Sequence, residues 1–149
     1  MLRQAIPGQD DAIVRQLLTY SVGYPTPDKI ARRLAEYRAG AERCLLLYES
    51  GGRVLGSVGI HLVAPGEAVI RNIAILPEQR GRGHGRRMVA QVWARFALHR
   101  LSAETDASAV GFYRRCGFAI ASLGEKWPGT ERFDCELTDP RLLAPADGR

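Results

Sequence analysis

The sequence predicts an α+β fold, with one mixed, mostly antiparallel sheet of about six to seven strands flanked by four helices. Three observations predict it. Apolar residues recur at helical spacing in four segments and fill short extended runs in seven. Those segments fall in the order β, α, α, β, β, β, α, β, α, β, β, so antiparallel hairpins come first and strand-helix-strand units follow. Glycine or proline punctuates most of the junctions.

The opening "MLRQAI" reads as a short strand closed by Pro7 and Gly8. From Asp10 onward Ile13, Val14, Leu17 and Leu18 recur as a helix stripe, with Asp10 and Asp11 placed to cap it. After the connector "TYSVGYPT", Thr26 followed by Pro27 signals a second helix, which Ile30, Leu34 and Tyr37 stripe as far as about Gly40. "RCLLLYE" and "RVLGSVGIHLV" flank "SGGR", a hairpin signal. The next run, "AVIRNIAIL", stops at Pro77. Simple alternation puts Val69, Arg71, Ile73 and Ile75 on one face and Ile70, Asn72, Ala74 and Leu76 on the other, as in a strand covered on both sides. A long helix striped by Met88, Val89, Val92, Trp93 and Phe96 is expected to reach about His99. "LSAE" is a short strand, Ala109, Phe112, Tyr113 and Cys116 stripe a helix closed by Gly117, and "FAIAS" and "RFDCEL" are the last strands.

Residues 1 to 137 of the 149 therefore form a single domain, and the tail 138 to 149, "TDPRLLAPADGR", is expected to be flexible or loosely docked. No apolar run of about 18 residues exists to span a bilayer and the N-terminus has no apolar leader core, so a cytoplasmic protein without membrane association is expected. Cys44, Cys116 and Cys135 are odd in number and far apart, which argues against both a disulfide framework and a metal site. The net charge of +5 points to an anionic ligand or surface. Nineteen of the 21 basic residues are arginines, and Arg32, Arg33 and Arg38 read as the wet side of a helix.

The densest basic stretch, "QRGRGHGRR" at 79 to 87, lies between the buried strand and the long helix. That setting favours a phosphate cradle, because the first turn of a helix offers unpaired N–H groups and a partial positive charge. Gly81, Gly83 and Gly85 allow a tight turn and close approach of oxygen atoms, and Arg80, Arg82, Arg86 and Arg87 add field. A Walker loop is absent because no Lys-Ser or Lys-Thr pair occurs, and the dinucleotide fingerprint is disfavoured by antiparallel strands upstream. As a nucleic-acid arm the run lacks interleaved aromatic residues, so nucleic acid is not an expected partner.

Arg80 to Gly85 resembles R/QxxGxG/A, the acetyl-CoA motif of the GNAT N-acetyltransferase superfamily. "DASAVGFYRRCGF" resembles its second signature, written around N..A...FY...GF. The resemblance covers residues 1 to 137. It implies a GNAT fold with a splayed sheet, and transfer of the acetyl group of acetyl-CoA to a primary amine by direct attack in a ternary complex. It also implies backbone N–H groups of Arg80, Gly81, Arg82, Gly83, His84, Gly85 and Arg86 on the CoA pyrophosphate, main-chain pairing of the pantetheine arm at Ala74 and Ile75, and Phe112 beside the cofactor. Asp106 stands where the family commonly has Asn. Tyr113 matches the family tyrosine that acts as the acid. For the base, Glu104 is the best-placed carboxylate, and it equally reads as a surface or capping group. His61 is the second candidate, although a lone strand histidine is more often structural. The central strand offers Arg71 and Asn72 where many members carry Glu.

The family places the acceptor between the first two helices and the late strands. Tyr20, Tyr24 and Pro25 in the helix connector, and the loop "GEKWPGTERF" at 124 to 133 with Trp127 and Arg132, are therefore expected to line its site. A small amine, a polyamine, an amino acid, an aminoglycoside and a protein terminus all fit as acceptors. The family often dimerises, so a homodimer is among the expectations. The alternatives are a regulatory or degenerate GNAT domain that binds acyl-CoA without turnover and, further off, a basic nucleic-acid-binding module.

Overall fold

Hydrophobic runs that alternate with turn residues become seven strands in the structure, a computed structural model that describes residues 1–143. The strands are β1 (Leu2–Gln4), β2 (Arg43–Ser50), β3 (Arg53–Ala64), β4 (Glu67–Ile75), β5 (Arg100–Asp106), β6 (Ala119–Trp127) and β7 (Thr130–Leu137). The helices are α1 (Asp11–Ser21), α2 (Pro27–Arg38), α3 (His84–Arg95) and α4 (Val110–Arg115). One mixed sheet runs β1-β2-β3-β4-β5-β7-β6, with only β4 and β5 parallel. The α+β expectation and the element order both hold.

Local chemistry explains the boundaries. Thr26 Oγ1 accepts from Lys29 N at 3.2 Å and Pro27 opens α2, as its sequence demands. Gly51 and Gly52 join β2 to β3 with φ of 61° and 78°, a turn in which both central residues need positive φ. Asp10 precedes α1 but does not cap it through its side chain. Its carboxylate instead accepts from Arg3 Nη1 and Nη2 at 2.8 and 2.9 Å and from Ile6 N at 2.7 Å, tying the helix entrance to β1. The Arg3 hydrogen bonds hold this carboxyl below the usual carboxylate range.

Two expectations are corrected, for the end of the long helix and for the stretch at 124 to 133. The long helix stops at Arg95 rather than His99, because Ala97 turns left-handed at φ 49° and delivers Leu98 into the core before β5 begins. The stretch "GEKWPGTERF" is a hairpin rather than a loop: β6 and β7 pair out to Trp127 and Thr130 around a Pro128-Gly129 turn, with Gly129 at φ 79°. Of the tail, Pro140–Leu143 forms a single 3₁₀ turn that buries Leu143 under α3; residues 144–149 lie outside the described residues.

The two faces of the sheet carry separate cores. Val14, Leu17 and Leu18 of α1 and Leu34 and Tyr37 of α2 pack on Leu45, Leu47, Ala74 and Leu76. Met88, Val89 and Val92 of α3 and Val110, Tyr113 and Cys116 of α4 pack on the opposite face with Val58, Ile60 and Ile70. β4 serves both because it changes face partway along. Gly59 pairs with Asn72 while Ile60 pairs with Ile70, so Arg71 is an extra residue, a β-bulge. Before the bulge Ala68 and Ile70 face α3; after it Ile73 and Ile75 face α3, while Asn72, Ala74 and Leu76 face α1 and α2. The simple alternation predicted along the strand is therefore broken at Arg71.

Among the described residues Ser57 Oγ, on β3 opposite Leu47 and Ala74, is a buried group without a hydrogen-bond partner, in a residue 1% exposed. Removing an unsatisfied hydroxyl recovers its desolvation cost. Ser57→Ala is expected to raise stability by about 1 kcal/mol in urea unfolding, and a loss of stability overturns this account of the site.

Candidate active site

A cleft of about 970 Å³ opens where the sheet comes apart. β4 and β5 pair over four residues only, ending at Ile70 and Ala103, so Arg71–Ile75 have no strand partner on that side. Leu76 N donates to Leu55 O at 2.8 Å, which fixes the direction of every backbone group in this half of β4. Alternation turns the N–H and C=O of Asn72 and Ala74 towards β3 and those of Ile73 and Ile75 towards the opening. The backbone groups of Ala74, expected to pair with the arm, therefore face β3, and those of Ile73, missed in the sequence, face the opening. The Ile75 carbonyl is taken by Arg80 Nε at 3.0 Å. What faces the cleft is a row of peptide groups with the spacing that an extended, amide-containing arm needs.

At the C-terminal end of this edge the chain turns through Pro77–Gln79 into the glycine loop. Gly81 and Gly83 have φ of 79° and 81°, a region closed to most side chains, and Gly83 is the N-cap of α3. Among the described residues no side chain caps this helix, an arrangement in which first-turn N–H groups can serve an anion. Gly85 has a different reason to be glycine. A Cβ there would lie 2.5 Å from the Phe112 ring, so its absence lets α3 and α4 close together. The arginines brace the loop: Arg87 Nη2 donates to Arg82 O at 2.7 Å, Arg82 Nη1 to Gln79 Oε1 at 3.3 Å, and Arg86 to the Arg115 carbonyl. His84 Nδ1 lies 3.3 Å from the Tyr48 hydroxyl, and burial with Arg87 and Arg82 nearby pushes its pKa down.

Phe112 and Tyr113 both line the cleft. The Tyr113 ring is held edge-on between Phe112 and Phe118, at 5.2 Å from each. Its hydroxyl has no hydrogen-bond partner among the described residues, and burial pushes its pKa up, so it stays protonated and able to donate. Asp106 lines the cleft as well, but its Oδ1 accepts from Ser108 N and Oγ at 3.0 and 2.6 Å, which organises the turn into α4 and lowers its pKa.

The candidate bases fare differently. Glu104 lines the cleft, with Oε1 bound by Lys126 at 2.9 Å and Oε2 by Arg132 at 3.2 Å; these contacts hold its carboxyl below the usual range. A carboxylate so paired is a weak proton acceptor. His61 sits on β3 opposite Arg43 and Val69 and does not line the cleft.

On the acceptor side the cleft is lined by Tyr20 to Gly23, Arg33, Arg71, Asn72 and Arg132. Tyr24 points elsewhere, 88% exposed with its ring under Lys29, and Trp127 stays outside with Arg132 over its ring at 6.0 Å. Arg33 is the residue that the sequence hides: one turn before Tyr37, it leans into the cleft instead of into solvent alone. The Tyr37 hydroxyl donates to Asn72 Oδ1 beneath it, in the space that Gly59 leaves open. The Asn72 amide nitrogen has no partner among the described residues.

These parts fit a coenzyme A derivative: an open strand edge for amides, beside an uncapped helix for a pyrophosphate. No group of His, Cys, Asp and Glu suited to a metal occurs among the described residues, and no helix among them is long and apolar enough to cross a membrane.

Comparison with known proteins agrees with this geometry. The model of the acetyltransferase (GNAT) family matches residues 12–118. A putative GNAT acetyltransferase from Desulfovibrio desulfuricans is similar in structure with a TM-score of 0.73 at 22% identity, over 93% of this chain and 98% of its own. Spermidine N-acetyltransferase from Vibrio cholerae, solved with CoA and spermine, is similar with a TM-score of 0.72 at 17% identity, over 96% of this chain and 97% of its own. Among curated proteins no relative matches.

Proposed function

The chain belongs to the acetyltransferase (GNAT) family, with acetyl-CoA as acyl donor, and from that premise we propose how its residues transfer the acetyl group to a primary amine in a ternary complex. The observation that carries the reading is the open edge of β4 at Ile73 and Ile75 running into the uncapped start of α3. The bound thioester supplies an acyl carbon that the amine nitrogen attacks, forming the C–N bond as the C–S bond breaks and leaving the thiol and the acetamide.

The chain's residues orient this reaction. The N–H groups from Gly81 to Arg86 hold the diphosphate, and the peptide groups of Ile73 and Ile75 hold the arm in extended form, which converts a bimolecular encounter into a positioned one. Tyr113 donates from its buried hydroxyl to the sulfur as negative charge builds there. The amine enters as its free base. Glu104 is held as an ion pair and His61 lies outside the cleft, so the acceptor's proton leaves to water. We extend the reading to a cytoplasmic homodimer, in keeping with three free cysteines and with the family resemblance.

Thiol release from acetyl-CoA by the purified chain, across small amines, amino acids, polyamines, aminoglycosides and peptides, tests the function; cofactor binding with no turnover would support a regulatory domain instead. The pH profile tests the base. Because the Glu104 pKa is lowered, this carboxylate is already ionised throughout the working range and cannot produce a rising limb near neutrality. Turnover per unit of acceptor is therefore expected to climb with pH along the amine's own ionisation, and Glu104→Gln to leave that limb in place. Loss of the limb in Glu104→Gln would return Glu104 to the role of base.

A further inference from the structure

We infer that the acceptor is an amine carrying its own anionic group, a carboxylate or a phosphate, recognised by Arg71 with Arg33. The inference rests on the acetyltransferase reading and names the substrate class of the same cleft. Arg71 is the bulged residue of β4, at the point where the splay begins. It is exposed, lines the cleft, and has no hydrogen bond or ion pair among the described residues. Arg33 reaches the same wall from α2, its nearest carboxylate being Glu36 at 3.7 Å. Arg33, Arg71 and Asn72 all line the same cleft, and both guanidinium groups act electrostatically on the Tyr37 hydroxyl that donates to Asn72, as do Arg43 and Glu36.

The carboxylates of the cleft do not offset this charge. Glu104 is bound by Lys126 and Arg132, so it brings two cations with it. Asp106 is engaged with Ser108 at the turn into α4. A polyamine would bring further positive charge to Arg33, Arg71 and Arg132. An anionic group would find Arg71 unpaired, a fork of donors suited to carboxylate or phosphate oxygens, with the Asn72 amide nitrogen as a further donor. The same field has a second effect. Cations beside a bound ammonium lower its pKa, so the acceptor sheds its proton without a carboxylate base. An acceptor lacking an anion gains that benefit but loses the attraction that holds it in the cleft.

The test uses the full chain with acetyl-CoA and matched acceptors differing only in charge: β-alanine against β-alaninamide, phosphoethanolamine against ethanolamine, with spermidine and a neutral tripeptide amide beside them. At least one anionic member is expected to exceed its neutral partner in kcat/KM by about tenfold or more, in line with one good charged contact, and spermidine to rank last. The two pairs separate a carboxylate site from a phosphate site. Arg71→Gln is expected to lower the ratio of kcat/KM for the anionic acceptor to that for its neutral partner about tenfold, Arg71→Lys to restore part of that ratio, and Arg71→Glu to shift preference towards spermidine. Equal or better use of neutral amines, spermidine or the tripeptide overturns the inference, as does a preference that Arg71→Gln leaves intact. Calorimetric binding of acetyl-CoA in parallel keeps two failures apart. If acetyl-CoA binds and no panel member is acetylated, the anionic-acceptor inference falls; if acetyl-CoA itself does not bind, the acetyltransferase reading falls with it.

Discussion

Gly85→Val is expected to weaken acetyl-CoA binding by about 100-fold or more, the equivalent of roughly 3 kcal/mol, whereas Arg82→Ala weakens it less than about threefold. The difference follows from what each residue does. A Cβ at position 85 would lie 2.5 Å from Phe112 Cε1 and 3.0 Å from Cζ, so either the ring or the start of α3 must move. Moving α3 displaces the N–H groups that would hold the diphosphate, and moving Phe112 disturbs Tyr113, whose ring it holds edge-on at 5.2 Å. The Arg82 side chain is exposed and, among the described residues, reaches Gln79 Oε1 alone, at 3.3 Å. Gly83→Val belongs with Gly85→Val, because a β-branched residue at φ 81° is strained by about 1 to 2 kcal/mol or more. Calorimetry with acetyl-CoA, on variants whose circular dichroism matches the parent, reads the ranking. If single arginine substitutions cost more than Gly83→Val and Gly85→Val, the loop works as a charge patch rather than as a row of amides.

The second large effect is at Tyr113. Tyr113→Phe is expected to lower kcat by about 10²-fold, the lower end of what a positioned proton donor contributes, and to leave KM for acetyl-CoA within about twofold. The substitution keeps the ring that packs between Phe112 and Phe118, so stability changes little while the hydroxyl, unpaired among the described residues, is removed. Burial raises the phenol's pKa, which keeps it a donor at every usable pH but makes complete proton transfer to a thiolate uphill. Its contribution is therefore the hydrogen bond to developing charge. A variant that turns over at the parent rate reduces Tyr113 to a packing residue.

How far the sequence could be read depended on how local each signal was. The Thr26-Pro27 start of α2 and the Gly51-Gly52 turn are written in two adjacent residues each, and both stand where they were read. The glycine loop was legible because glycines at fixed spacing between a strand and a helix mean the same thing in any surroundings. The bulge at Arg71 was not, because an extra residue is defined only against the partner strand, through the pairing of Gly59 and Ile60. The exchange of Ala74 for Ile73 follows from that same pairing. The far end of the β6–β7 hairpin, beyond "FAIAS", was taken for a loop because β6 is an edge strand exposed along most of its length, so it shows no apolar alternation. Arg33 and Arg38 look alike on a helical wheel. Only the assembled fold turns the first towards the cleft and gives the second Asp11 at 2.6 Å.

The four-residue seam between β4 and β5 also makes the molecule mechanically two-part. β1 to β4 lie on one side of it and β5, β7 and β6 on the other, stitched below the opening by Glu67 to Ile70 and bridged across it by α3. An extended ligand that paired with Ile73 and Ile75 would add main-chain hydrogen bonds across the opening, so acetyl-CoA is expected to slow amide exchange along β4, and unchanged exchange there would overturn that pairing.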